Sequence, residues 1–430
     1  MWALNGGHIL ALTALALPTL VAFTPKGAAP LFIAAAVAMV AAERIAGRPI
    51  PRPPSWLGGV LGGFLAWGLA SVLWAVDPLE AVGKAGQIAG VFVAGAILLA
   101  GADALDETGR RDVSRGLLAG ALLCLVVILG RVAVSPDIGL LLDGLIKRTA
   151  YARQQAETHF LFLKAVSTVS CVLLWPSVIG ARRLWGRRGL WVAATALFAV
   201  ILLTLSHTAL AAAGAGLITF LLARWFFRIM AGLIVGGILL GLVAAPALVG
   251  YLPPPPSATE KPWSLPLSLV HRVHIWTFAS QRIAEKPVLG WGLNASRSLP
   301  GGKDEVRLYG QHPDGRIFVN ATGEIMPLHP HNAFLQIRLE MGLPGVGLAA
   351  LLLVLAARRL PRALPGPDER AAALAALVTS MLVGLSSFGV FQSWWMGVLW
   401  LTAAFLAAVG GVSTSRPRMA GQSRPPGPTG

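Results

Sequence analysis

The sequence predicts an all-α polytopic membrane protein of about 12 transmembrane helices with one large, partly helical outer loop. Three observations carry that class. Hydrophobic residues make up 55% of the chain and charged residues only 13%. Apolar runs of about 17 residues or more, enough to cross a bilayer as helix, recur from end to end. The basic residues fall in short clusters between those runs, which is how membrane chains encode their orientation. In a soluble protein the net charge of +16 would suggest nucleic acid, but clusters spaced by apolar spans make it a topology signal, so no nucleic-acid partner is expected. Nothing in the spans alternates as a barrel strand does, so helices are the available way to satisfy the backbone in lipid.

The expected spans lie near residues 8–24, 28–42, 56–76, 85–101, 116–134, 159–180, 189–206, 208–223, 229–250, 332–357, 371–388 and 394–411. This gives a first block of nine spans over 1–250, a large loop over 251–330, three more spans over 331–411 and a disordered tail over 412–430. The start MWALNGGHIL lacks a basic leader region and reads as a first span, not a cleaved signal peptide. With the N-terminus in the cytoplasm, Arg44, Arg48, Arg52, Arg110, Arg111, Arg115, Arg182, Arg183, Arg187, Arg188, Arg224, Arg228, Arg358, Arg359, Arg362, Arg370, Arg416, Arg418 and Arg424 are all expected to face inward, where they also meet anionic lipids. The short outer loops keep only Lys26, Lys84, Lys147, Arg148 and Arg153. Cys124 and Cys171 fall inside spans, so no disulfide framework or cysteine metal site is available.

The same topology puts seven of the eight histidines on the outer side: His159, His207, His271, His274, His312, His329 and His331. In the large loop, Pro253 to Pro256 form a stiff extended spacer. Ser268 to Glu285 reads as an amphipathic helix with Leu269, Val273, Trp276, Ser280 and Ile283 on one stripe, expected to lie along the bilayer surface. Arg272 flanks that stripe while His271 and His274 point away. Lys286-Pro287 ends the helix and Gly290 to Asn294 turns the chain.

The segment Leu328 to Arg359 carries the densest chemistry, with His329, His331, Asn332, Arg338 and Glu340 at the front of a span. A charge in the hydrocarbon layer costs roughly 3 kcal/mol or more, so Arg338 and Glu340 need a buried polar role. Arg338 returns to nearly the face of His331 about 10 Å deeper. Asn332, Gln336 and Glu340 form a second stripe at i, i+4, i+8. Arg338 and Glu340 cannot pair with each other, and Lys164 and Arg131 are the candidate partners for Glu340. Pro344, between Gly342 and Gly345, is expected to kink the helix.

The pattern His329-x-His331-Asn332-x-x-Leu335 followed by Glu340-x-Gly342-x-x-Gly345 resembles the O-antigen ligase and polymerase superfamily of bacterial envelope glycosyltransferases. Arg272, Trp276, Pro287, Gly290 and Gly292 are similar to that family's outer loop, as is Trp74-Ala-Val-Asp-Pro78 after the third span. The resemblance covers most of the chain and implies a GT-C-like helical fold. It also implies inverting, metal-independent transfer of a glycan from undecaprenyl diphosphate to an acceptor, typically the lipid A core, at the periplasmic face of the inner membrane. It places the catalytic histidine on His331 and the loop arginine on Arg272. Many members carry Ser-Arg-Gly where this chain has Ser206-His207-Thr208, so Arg148 and Arg153 are candidates to grip the diphosphate instead. His207, His329, Asn332, Arg338 and Glu340 complete the expected substrate-binding set.

This chemistry fits the residue types. A polyprenyl diphosphate already leaves readily, so the protein must neutralise developing charge and take a proton from an attacking hydroxyl, a task suited to an imidazole near its ordinary pKa. Blander roles stand beside these: an interfacial anchor for Arg272, a helix start for His331, solvated loop charges for Arg148 and Arg153, and a polar turn residue for His207. The spacings His271/His274 and His329/His331 would suit zinc, but no cysteine and no aligned outer carboxylate joins them, so no cofactor is expected. The ligase branch is favoured over a polymerase because the only other outer segment of note, Ser135 to Thr158, is short. A transporter of lipid-linked glycan is disfavoured because no internal repeat is visible and the polar residues gather at the surface.

Overall fold

The computed structural model describes residues 5–133, 160–204, 206–254, 263, 265–312 and 314–411. Eleven helices and one hairpin follow in the order α1 (Gly6–Phe23), α2 (Ala28–Ile45), α3 (Ser55–Ala70), α4 (Pro78–Asp103), α5 (Glu107–Ala133), α6 (Phe160–Leu203), α7 (His207–Val249), α8 (Leu267–Glu285), β1 (Glu305–Gln311), β2 (Ile317–Glu324), α9 (Ala333–Ala363), α10 (Pro367–Gly384) and α11 (Ser393–Gly410). Among the described residues, nine helices are long and apolar enough to cross a membrane. Three of them are bent, α9 at Gly342 and the two longest near their middles. α6 leaves helical geometry at Trp185 and Gly186, and α7 does so at Phe226. The two arms of each coincide with the paired spans expected near 159–180 and 189–206, and near 208–223 and 229–250. The remaining expected span, near 371–388, coincides with α10, which carries Asp368, Glu369 and Arg370 in its first turns and is not among the nine. The chain is an all-α polytopic membrane protein, with one small hairpin.

Close packing uses small residues where the sequence supplies them. Gly116 and Gly120 of α5 lie against the backbone of α1, where an added Cβ would come within 2.2 Å of the Ala11 carbonyl oxygen and 2.5 Å of that of Ala14. Such approach substitutes van der Waals contact for the hydrophobic drive that lipid removes.

Arginines gather at one end of the bundle. Arg110 is fully buried and donates to the carbonyls of Asp103 at the end of α4 and of Ala407 and Ala408 at the end of α11, at 3.0, 2.9 and 2.8 Å. It thereby satisfies carbonyls that a helix terminus leaves without partners. Arg182 and Arg224, beside the two bends, both pair with Asp368, while Arg359 lies 4.8 Å from the Trp56 ring centroid and Arg370 lies 5.2 Å from that of Phe227. The loop, the hairpin, His207, His271, His274, His312, His329 and His331 occupy the other end, while His8 lies beside Asp112 at the arginine end.

α8 begins one residue before the expected helix, but its surroundings differ from the expectation. Its buried side chains are Val270, Val273, Ile275, Phe278, Ala279 and Ile283. Ile275, Phe278, Ala279 and Ile283 pack with Ala245 and Val249 of α7 and with Leu335 and Leu339 of α9. Val270 packs with Val306 and Leu308 of β1. The apolar face of α8 is thus covered by protein where the sequence pattern alone suggested lipid. The hairpin β1–β2 was not foreseen. It is antiparallel, with an irregularity after Leu308, where the partner moves from Ala321 to Val319.

The turn after α8 is built into α9. Pro344 has no N–H for the Glu340 carbonyl, and α9 breaks at Gly342 (φ +61°, ψ −155°). The freed groups are taken by the loop: Trp291 N–H donates to Leu339 O at 2.8 Å, Gly292 N–H to Glu340 O at 3.1 Å, and Leu343 N–H to Val288 O at 2.8 Å. The conformation of Gly342 is essentially restricted to glycine, and a Cβ there would lie 2.1 Å from Val288 O. Gly342→Ala is therefore expected to destabilise the protein by about 3 kcal/mol or more, backbone strain and clash combined. Gly347→Ala, with open space around it, leaves stability unchanged. Thermal unfolding in detergent compares the two, and equal midpoints would show that the break is dispensable.

Candidate active site

The site forms where α9 starts, under α8 and beside the connection between α10 and α11. Asn332 caps α9, its side-chain oxygen accepting from the N–H groups of Phe334 and Leu335 at 3.0 and 3.2 Å. This cap ends the preceding segment sharply. His331 sits in the left-handed region at φ +53°, a conformation that costs a non-glycine residue about 1–3 kcal/mol and persists only when its surroundings impose it. Three hydrogen bonds do so. Trp276 Nε1–H of α8 donates to Pro330 O at 2.9 Å. His331 N–H donates to His329 Nδ1 at 3.1 Å. His331 Nδ1 lies 2.7 Å from Ser387 O, in the α10–α11 connection.

That last contact fixes the tautomer. A carbonyl only accepts, so Nδ1 carries the proton and Nε2 keeps its lone pair. Among the described residues Nε2 has no hydrogen-bond partner. His329 is the opposite tautomer, since its Nδ1 accepts from the His331 backbone. The two rings lie 4.2 Å apart, centroid to centroid.

Both imidazoles are held neutral. Burial pushes the His331 pKa down to about 4, with Arg272, Lys164 and His271 adding to the shift against the opposing Ser387 hydrogen bond. Burial also takes His329 to about 3, with His331 and Arg297 contributing. An imidazole near its ordinary pKa was the expectation for His331. The structure instead gives a desolvated ring among cations, which disfavours the charged form twice over. Burial likewise lowers Arg272. Among the described residues the Arg272 guanidinium has neither a hydrogen bond nor an ion pair.

Glu340 is 1% exposed and serves a different purpose. It accepts from Ser296 Oγ at 2.6 Å, Asn294 N–H at 2.8 Å and Gln336 Nε2 at 3.1 Å. The expected partners, Lys164 and Arg131, are elsewhere: the Lys164 charge acts on His331, and Arg131 donates to Ala22 O at 2.8 Å. The correction is physical, because backbone, hydroxyl and amide donors satisfy the buried carboxylate directly, while the cation that acts on it, Lys84, makes no ion pair with it. Gln336 Oε1 accepts from Val390 N–H at 2.9 Å. Loop, α9 and the α10–α11 connection are thus tied together around the carbonyl that holds His331.

Arg338 lies below, nine-tenths buried, with Nε and Nη1 lacking hydrogen-bond partners among the described residues. Its charge is not among those acting on His331. His207 begins α7, exposed, and among the described residues its side chain makes no hydrogen bond or ion pair. Arg148 and Arg153 lie outside the described residues. His271 Nε2–H donates to Glu324 O at 2.8 Å and so braces α8 against the hairpin. Among the described residues, no group of three His, Cys, Asp or Glu side chains is placed to hold a metal ion. The structure therefore brings together His329, His331, Asn332 and Arg272, and adds Lys164 and Arg297. Lys164 was visible as a lone cation in an apolar span; Arg297 carried no such signal.

Fold and site together define a polytopic membrane protein with a neutral, strained histidine among cations at one end of its bundle, roofed by α8 and the loop that follows it. Residues 192–350, which include His207, Arg272, His331 and Glu340, match the family model described as O-Antigen ligase. The chain is also similar to two proteins named "Putative polysaccharide ligase". One is from Rickettsia bellii, 32% identical over 184 residues; the other is from Rickettsia conorii, 30% identical over 186 residues. The match covers 42% of the length of each of these relatives, and 42% and 43% of this chain. No solved structure matches it.

The neutral state of His331 can be read directly. In protein labelled with 15N at histidine, its imidazole is expected to remain uncharged at pH 5 and to titrate near pH 4. Arg272→Ala should raise that value, since it removes a repelling cation. Titration of His331 at its ordinary value near 6.5 in the wild type would contradict the assignment.

Proposed function

We propose that this protein is an inverting glycosyltransferase, independent of metal, that moves an oligosaccharide from undecaprenyl diphosphate to the lipid A core at the periplasmic face of the inner membrane. The observation that carries the reading is the His331 side chain, whose Nδ1–H is committed to Ser387 O while Nε2 keeps a free lone pair beside Arg272 and Lys164. In this reading an acceptor hydroxyl sits at Nε2. Its oxygen attacks the anomeric carbon of the donor sugar as the bond to the diphosphate oxygen breaks on the opposite face, inverting that carbon. The hydroxyl proton passes to Nε2 and undecaprenyl diphosphate leaves with the bonding electrons. Arg272 and Lys164 bind the diphosphate and stabilise the charge that develops on it. Arg338 offers a further point for an anion, because unpaired guanidinium N–H groups in a span are costly without one. His329 and Asn332 hold the backbone of His331, and Glu340 holds the loop; these are positioning roles.

The test is transfer by purified protein from undecaprenyl diphosphate-linked glycan to lipid A core in EDTA. Wild type is expected to glycosylate the core. His331→Asn, which tolerates a left-handed backbone, should lose roughly 10²–10⁴-fold in rate, the usual contribution of a general base, at unchanged folded yield. Arg272→Ala should also lose activity, with a raised KM for the donor. Longer glycan still on its lipid carrier would identify a polymerase, and undiminished transfer by His331→Asn would remove the base from the mechanism.

The pH profile gives a second test. A base works unprotonated, so a lowered pKa preserves activity into acid. kcat/KM, which reports the free enzyme, should fall only as pH approaches about 4. The limb of kcat, which reports the bound state, should lie higher, because a bound diphosphate offsets the cations that depress the ring. A kcat/KM limb near 6.5 would place the titrating group elsewhere.

A further inference from the structure

A cleft of about 510 Å³ opens at the arginine end of the bundle, far from His331, between α5 and the bend of α6. Its volume falls within the roughly 300–1,000 Å³ of small-molecule sites. On α5 its wall is a single stripe: Arg111 and Arg115 at the mouth, then Leu118 and Leu122 one and two turns further along. Leu122 lies seven residues past Arg115, about 10 Å along the helix axis and so deeper in the span. α6 contributes Arg183 and Trp185, and its break at Gly186, φ +60°, leaves Trp185 59% exposed.

The arginines are anchored but not saturated. Glu107 accepts from Arg111 Nε at 3.1 Å and from Arg183, and Asp112 accepts from Arg115 Nη1 at 2.9 Å. Each guanidinium has five donors, so N–H groups remain for another anion. Exposed Arg187 and Arg188 add to the positive potential, which the two carboxylates do not cancel.

Charge at the mouth followed by an apolar wall running into the span is complementary to an amphiphile with an anionic head. We propose that this cleft is a specific site for an anionic glycerophospholipid of the adjoining leaflet, its phosphodiester on Arg111, Arg115 and Arg183 and an acyl chain along Leu118 and Leu122. A free phosphate would use the mouth and leave the apolar wall unoccupied. The proposal is independent of the glycosyltransferase reading, since the site shares no residue with it.

Native mass spectrometry of the delipidated full-length protein, titrated with phosphatidylglycerol, phosphatidylcholine or inorganic phosphate, tests it. Phosphatidylglycerol is expected to bind with one preferred stoichiometry and phosphatidylcholine clearly more weakly. Arg111→Gln and Arg115→Gln should each weaken binding roughly fivefold, as expected for one surface cation facing an anionic lipid. Leu122→Trp, which narrows the apolar wall without changing charge, should weaken it as well. Unfolding midpoints of these exposed-site variants without lipid should equal the wild type. Equal binding of the two lipids, indifference to all three substitutions, or displacement of the lipid by millimolar phosphate would each overturn the assignment.

Discussion

The break in α9 at Gly342 is the constraint on which the rest of the site depends. A continuous helix would keep the Leu339 and Glu340 carbonyls for itself. Pro344 cannot supply the bond that Glu340 O would receive, and the loop turn 288–292 enters the gap with two donors and one acceptor. An outer loop of this length would otherwise be tethered to the bundle only through side chains. Here backbone hydrogen bonds fix it in register, and this register carries Asn294 and Ser296 onto Glu340. From Glu340 the chain of contacts runs through Gln336 to Val390, three residues from the carbonyl that orients His331.

The electrostatics of the site follow from where this scaffold puts charge. Arg272 and Lys164 both act on His331, and among the described residues no carboxylate stands among the charges acting on it. Glu340, the nearby buried acid, is occupied by hydrogen bonds to loop and helix. Uncompensated cations around a desolvated imidazole are unfavourable in isolation. Proteins retain such arrangements where a ligand of opposite charge completes them, and strained residues concentrate at the same places.

Much of this was legible in the sequence. Among the described residues, the apolar runs coincide with the nine helices long and apolar enough to cross a membrane, including both halves of the bent helices α6 and α7, because the hydrocarbon layer imposes length and composition directly. The arginine clusters do share one end of the bundle. His331, Asn332 and Arg272 were visible as polar residues in costly places. Three things were not. The apolar stripe of α8 looks the same whether lipid or protein covers it, so its packing on α7, α9 and β1 could not be read. The partner of Glu340 was sought among charges, while the structure uses Ser296 Oγ and a backbone N–H, groups every loop possesses. The hairpin had a signal, Asp314-Gly315 between β-forming runs, which a search for spans passes over.

The state of His331 is the point at which sequence reasoning and structure diverge most, and the difference bears on mechanism. Histidine in a polar outer segment suggests a ring that titrates near neutrality. A ring wedged between His329, α8 and the α10–α11 connection, with two cations acting on it, holds a proton only weakly. Such a base is unprotonated at neutral pH yet accepts a proton reluctantly. In the proposed reaction the anionic diphosphate of the donor changes that balance: neutralising Arg272 and Lys164 removes the repulsion that depresses the imidazole, so its proton affinity rises as the donor arrives. The cations then hold the leaving group and also make the strength of the base depend on its presence. A hydroxyl or water that reached Nε2 before the donor would meet a weak base and no electrophile, which disfavours unproductive proton transfer.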